Sequence, residues 1–154
     1  MYKNILVAIS HGSNSYNLFQ IGLDLALKYK AQMTLCHIKN LKYIIPNFAN
    51  ENVYMPQDII YFETNDGIED TLNKYRDEAL VKGVLKVDVV VTASSTPALA
   101  ITNVVVPGFG CDLIICGSSK SKGIFKKIFG NVTGDILKNT SVDVLIVKDK
   151  EERD

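Results

Sequence analysis

Two short clusters carry residue types that can do chemistry together. Gly117-Ser118-Ser119-Lys120 is followed, after nine residues, by Gly130-Asn131-Val132-Thr133. A glycine lets the chain leave a strand sharply and lets its backbone approach a ligand. A helix opening at Gly130 would aim free amide hydrogens and a positive dipole end at an anion. Asn131 and Thr133 add side-chain donors, and Lys120, Lys126 and Lys127 can offset negative charge. The chemistry this spacing suits is phosphate binding. The plainer reading is a strand-to-helix loop whose Lys126 and Lys127 form a solvated face.

Other chemistry finds little support. The chain has no G-x-x-x-x-G-K-[ST] phosphate loop and no G-x-S-x-G nucleophile elbow. Gly108-Phe109-Gly110 precedes a strand-like run, the wrong side for a dinucleotide fingerprint. No paired carboxylates are tied by spacing to a second catalytic group, so no catalytic residue is expected and the chain reads as a non-enzyme. His11 and His37 are the only histidines, and neither has a ligand at a useful spacing, so no metal site is expected. His11 reads as a surface turn residue and His37 as a core or strand-end histidine. Cys36, Cys111 and Cys116 form no C-x-x-C pair. Cys36 and Cys116 read as small core hydrophobes, Cys111 as more accessible, and all three as reduced thiols of a cytoplasmic protein.

The elements that must position these residues follow from periodicity. Residues 4–9 are a branched apolar run that suits a strand buried on both faces, closed by the turn signal Ser10-His11-Gly12-Ser13. A helix is predicted over 15–30, with Leu18, Ile21, Leu25 and Tyr29 on one stripe. Strand two is predicted over 33–38, so the chain opens β-α-β with two parallel neighbours. Residues 39–66, with Pro46, Pro56 and five aromatics, predict a long irregular excursion. A helix follows over 68–82, with Leu72, Tyr75, Ala79 and Leu80 near one face and Gly83 as its stop. Strand three is predicted over 85–92. The next helix starts at Ser94-Ser95-Thr96-Pro97 with Pro97 in its first turn, carries Leu99, Ile101, Val104 and Val105, and ends near Gly108. Strand four spans 113–116. A helix over 130–140 turns Val132, Ile136 and Leu137 inward, and strand five spans 142–147. The predicted fold is α/β, a single open five-stranded parallel sheet with helices on both faces. A charged tail, 149–154, follows a domain over 1–148.

Composition agrees with one soluble domain. The 154 residues suffice for one core. Hydrophobic residues make up 47% and charged residues 22%, an ordinary balance for a globular protein. Seventeen basic and seventeen acidic side chains cancel, which argues against a nucleic-acid-binding or polybasic membrane protein. No apolar run reaches the roughly 18 residues of a membrane span. The opening Met1-Tyr2-Lys3-Asn4 leads straight into a strand-like run, and no signal peptide is expected. An apolar last strand at a bare sheet edge would be an aggregation hazard, so a homodimer through Val142, Val144, Leu145, Ile146 and Val147 is expected.

The 117–133 segment resembles the universal stress protein family, whose nucleotide-binding members carry Gly, two residues, Gly, nine residues, Gly, then Ser or Thr. The spacing is the same here, but Lys120 replaces the second glycine and Asn131 the hydroxyl residue. The resemblance extends to Lys3-Asn4-Ile5-Leu6-Val7-Ala8-Ile9, Ser95-Thr96-Pro97, Cys111-Asp112-Leu113-Ile114-Ile115-Cys116-Gly117 and Val142-Asp143-Val144-Leu145-Ile146-Val147. Ser10-His11 stands where the family has an aspartate, and a glycine before Pro97 is absent. The resemblance implies a Rossmann-like fold of the adenine nucleotide alpha hydrolase type, pairing of the last strand with its copy in a second subunit, and ATP, with magnesium, as ligand. It implies adenine contacts from Ala8, Ile9, Ser10 and Ile38. It implies ribose or phosphate contacts from Gly117, Ser119, Lys120, Gly130, Asn131, Val132 and Thr133. The function implied is an ATP- or adenine-nucleotide-binding dimer of the stress response. The alternative is a dimeric stress or interaction protein that has lost the nucleotide.

Overall fold

The computed structural model describes residues 1–12, 14–41, 67–118 and 132–148. The strands are β1 (Asn4–Ala8), β2 (Gln32–Asn40), β3 (Val87–Ser94), β4 (Leu113–Gly117) and β5 (Asp143–Val147). The helices are α1 (Ser15–Tyr29), α2 (Ile68–Lys82), α3 over 97–109 and α4 (Val132–Asn139). All the pairings are parallel and the strand order is β3-β2-β1-β4-β5. The expected α/β class and five-stranded parallel sheet are therefore found. Most of the 39–66 excursion and the 149–154 tail lie outside the described residues.

Alternation along each strand divides the core into two layers. Ile5, Val7, Leu35 and Ile115 face the layer that holds Leu18, Phe19 and Leu23 of α1 and Leu72 and Ala79 of α2. Leu6, Cys36 and Ile114 face the layer under Ile101 and Val105 of α3 and Ile136 of α4. Each fully buried aliphatic or aromatic side chain contributes about 1.5–3 kcal/mol over its exposed state. Phe19 stacks on Tyr75 with ring centroids 4.6 Å apart, which clamps α1 to α2. The α1 stripe is centred on Leu18, Phe19, Gly22, Leu23 and Ala26, with Ile21, Leu25 and Tyr29 at its margin.

Gly22 is where α1 meets β1 most closely. A Cβ built there would lie 2.5 Å from Val7 Cγ2. Val7 is β-branched and fully buried, so it has little room to yield.

α1, α2 and α3 end alike. Lys30 (φ 56°), Gly83 (φ 113°) and Gly110 (φ 67°) take the left-handed conformation. The next amide in each case, from Ala31, Val84 and Cys111, donates back to Ala26, Ala79 and Val106. Glycine suits this position, and α1 places a lysine there. α3 is not uniform: Pro97–Ala100 and Val106–Phe109 are α-helical, and Ile101–Val105 form a π turn. Pro107 has no amide hydrogen and its ring crowds the carbonyl one turn before it, so a wider turn relieves the strain.

Several apolar side chains expected near the core face solvent. Leu80 and Leu85 are exposed, because Ala79 and Val84 take the core positions beside them and β3 starts only at Val87. Leu137 and Val132 are exposed because the inward line of α4 runs through Thr133 and Ile136, three residues apart. Leu99 and Val104 are exposed on α3. Cys111, expected to be the accessible cysteine, is buried and donates to Thr34 Oγ1 at 3.6 Å. The three thiols are free and buried.

Gly22→Ala should lower stability by a net 1–2 kcal/mol or about 2–8 °C in Tm, since overpacking outweighs the gain in helix propensity. Gly108→Ala enters open space and should be neutral or stabilising in the same thermal melt. Burial pushes the Cys36 thiol up to about 12 from 9.0. The unfolded chain therefore ionises first on raising the pH. This contribution to stability should be intact below pH 9.0 and fall away between there and about pH 12, while Cys36→Ala should flatten that part of a denaturation-versus-pH curve.

Candidate functional site

Strand order fixes where a ligand can sit. From β1 the chain builds outward through β2 and β3, then returns to lay β4 and β5 on the other side of β1. The connections after β1 and β4 therefore diverge and leave a crevice beyond their carboxyl ends. The segments converging there are 8–12, the start of α1, 117–118 and the start of α4.

The sheet is stepped at this end. β1 pairs with β2 only as far as Ala8 opposite Cys36, while β2 continues beside β3 to Asn40 opposite Ser94. Ile38 therefore stands two positions beyond the end of β1. Ala8 and Ile38 lie on the same face, half-buried against the α3–α4 layer, and form an apolar ledge. Ile9 lies on the opposite face, buried in the α1–α2 layer. Its backbone is also engaged. The Ile9 amide donates to the Cys36 carbonyl at 2.8 Å, and His37 Nδ1 lies 2.7 Å from the Ile9 carbonyl oxygen, to which a protonated Nδ1 donates. Ser10 is exposed at the rim.

β4 supplies the other wall. Gly117 does not adopt a left-handed φ, and a Cβ there would meet Leu18 at 3.5 Å and Asn14 Nδ2 at 3.9 Å. A side chain at this position would thus point at the start of α1. Thr133 is buried and donates from Oγ1 to the Gly117 carbonyl at 2.9 Å, so it pins the opening of α4 to the end of β4. Burial pushes the Cys116 thiol up, and Thr133 beside it pulls the other way. Val132 is partly exposed at the start of the helix. Asp135 is the acidic residue in the first described turn of α4. The Ser118 amide donates to Val147 at 2.9 Å and ties the wall to β5.

Of the residues singled out in the sequence, the structure thus brings Ala8, Ser10, Ile38, Gly117, Val132 and Thr133 to one end of the sheet, and turns Ile9 into the core. Ser119, Lys120, Gly130 and Asn131 lie outside the described residues. Sequence reasoning passed over Asn14, whose amide nitrogen comes within reach of Gly117 and which accepts from Asn17 Nδ2 at 3.2 Å. Its place at the N-cap of α1, the helix after β1, is the signal that marks it. The His11–His37 pair was also missed as a pair; the rings lie 5.0 Å apart, edge to face, beside Ile9.

Comparison with known proteins gives a consistent result. A family model for the universal stress protein family matches residues 1–148. A Staphylococcus haemolyticus protein assigned to the universal stress proteins is 28% identical over 150 residues, covering 97% of this chain and 87% of the relative. A universal stress protein solved in complex with cAMP superposes with a TM-score of 0.66 at 18% identity, covering 96% of this chain and 97% of that one. The universal stress protein from Archaeoglobus fulgidus, solved in complex with dAMP, superposes with a TM-score of 0.61 at 16% identity, over 96% and 98% of the two chains. With a family model that matches nearly its whole length and a fold shared with these structures, the chain belongs to the universal stress protein family.

Proposed function

We propose that this chain is a regulatory protein of the stress response that binds an adenine nucleotide, ATP with magnesium foremost, in the crevice beyond β1 and β4. The observation that carries the reading is the convergence of Ala8, Ile38, Gly117 and Thr133 at that crevice, with the Gly117-to-Gly130 spacing leading out of it. The Ala8–Ile38 ledge suits the apolar face of a purine. The chain from Gly117 to the opening of α4 suits the sugar and phosphates. Two relatives of the fold were solved with cAMP and with dAMP, which supports adenine as the base. The reading is of a binder rather than an enzyme, since the sequence ties no paired carboxylates by spacing to a second catalytic group. Three free thiols accord with a cytoplasmic setting.

A second reading has its own observation. Lys120 and Asn131 replace two of the motif's four residues, and a side chain at position 120 can crowd a triphosphate. On this reading the chain is a dimeric interaction protein without a nucleotide.

Both readings use β5 as the dimer interface. Among the described residues β5 pairs only with β4, and Leu145 and Ile146 are each 37% exposed. Pairing with a second copy would cover that edge.

Calorimetric titration of nucleotide-stripped protein with ATP and magnesium should give a saturable isotherm near one ATP per chain. Thr133→Val, which keeps the shape and removes the hydroxyl, should weaken binding by up to about tenfold, the size of one lost hydrogen bond. A flat wild-type trace at sub-millimolar concentration selects the second reading. In light scattering, Leu145→Lys should convert dimer to monomer or aggregate, and an unchanged dimer mass would rule out β5 as the interface.

A further inference from the structure

We propose that His11 and His37 form a binding site for a divalent transition-metal ion of the zinc kind. They are the only histidines in the chain and stand far apart in it, with no metal motif between them. The fold brings them together as a pair, with ring centroids 5.0 Å apart and planes crossed at 75°. Ile9 arranges the meeting. Its amide donates to the Cys36 carbonyl at 2.8 Å, and its carbonyl oxygen lies 2.7 Å from His37 Nδ1. The chain is thus anchored to β2 two residues before His11. His37 is buried on the sheet face that carries Ile9 and Leu35, in register with Val91 of β3. His11 is exposed at the rim.

The bond to Ile9 decides which nitrogen of His37 can act as a ligand. A carbonyl oxygen only accepts, so Nδ1 carries the proton. In a neutral imidazole the lone pair then sits on Nε2. Metal-ligating histidines are ordinarily held in this way, with the other ring N–H on a backbone carbonyl or a carboxylate that fixes the tautomer and the ring orientation. The support that a ligand needs is therefore built into the end of β1.

The ring separation has the size that a shared ion requires. With ligating nitrogens about 2.0–2.1 Å from zinc, each ring centre stands about 3.2 Å from the ion, and a tetrahedral angle sets the two centres about 5.2 Å apart. Crossed planes are compatible with this, since each ring can turn about its metal–nitrogen bond. Imidazole suits zinc, copper and nickel, whereas magnesium and calcium take oxygen ligands. Among the described residues no group of three or more His, Cys, Asp or Glu is placed to hold a metal, so water completes the shell. Next to His11, a Cβ at Gly12 would have no described atom within 4 Å, which leaves room for that water. Two protein ligands hold an ion more loosely than the three or four of a catalytic or structural zinc centre. The site therefore exchanges its ion readily and keeps positions for an outside ligand.

The test is calorimetric titration of the untagged, chelator-treated, full-length protein with zinc chloride, without nucleotide. A saturable isotherm near one zinc per chain is expected, and no saturable heat from magnesium chloride. His11→Phe keeps a ring beside His37 and removes the nitrogens, so it should weaken zinc binding by about tenfold or more, with an unchanged circular dichroism spectrum. In proton NMR of wild type, the C2–H resonances of both histidines should move together as zinc is added. A flat zinc titration overturns the inference. So does zinc binding that His11→Phe leaves unchanged, or that moves the resonance of one imidazole alone; the pair is then an aromatic contact only. No nucleotide enters these measurements, so their outcome is separate from whether the crevice binds ATP.

Discussion

β1 has a strand on each side, and this arrangement governs the rest of the molecule. In a parallel sheet the crossover helices lie over both faces, so a central strand must be apolar on both. Ile5 and Val7 meet one helical layer and Leu6 the other. Because the chain lays down neighbours first on one flank and then on the other, the segments leaving β1 and β4 part company at the same end of the sheet. The crevice is thus a by-product of burying β1. The closeness of Gly22 to Val7 belongs to the same constraint, since α1 must lie tightly over the strand it follows.

The strands and their order of appearance were legible in the sequence because parallel buried strands are written as continuous branched runs, bounded by glycine and proline. The ends were less legible. β2 runs to Asn40 rather than 38, since its last pairs are made with β3 through backbone bonds that place few demands on side chains. The facing of helices was misread wherever two apolar residues stand side by side. Leu80 beside Ala79, and Leu137 beside Ile136, differ by one step of about 100°, and only the layer beneath decides which turns inward. Cys111 was misread because accessibility depends on the packing of α3 above it.

The site was legible as a spacing but not as a division of labour. Thr133 was read as a contact for phosphate, and in the structure its hydroxyl is already bonded to Gly117. Ile9 was read as an adenine contact, and the twofold alternation of β1 sends it to the other layer from Ala8. A motif records which positions matter without saying which of them hold the frame and which remain open to a ligand. Asn14 escaped notice for the converse reason, since it belongs to no motif and comes near Gly117 only through folding.

The π turn in α3 leaves slack in the chain. A ring closed from residue i to i+5 holds one residue more than the α-helical turns on either side of it. Removing one of the exposed residues Asn103 and Val104, with Pro107 replaced so that its ring no longer crowds the preceding turn, would let the helix close as an α-helix of nearly the same span, and the residues beyond would keep their facing toward the sheet. α3 is therefore the one described helix whose length and whose anchorage are independent, a place where the chain can shorten without the core having to repack.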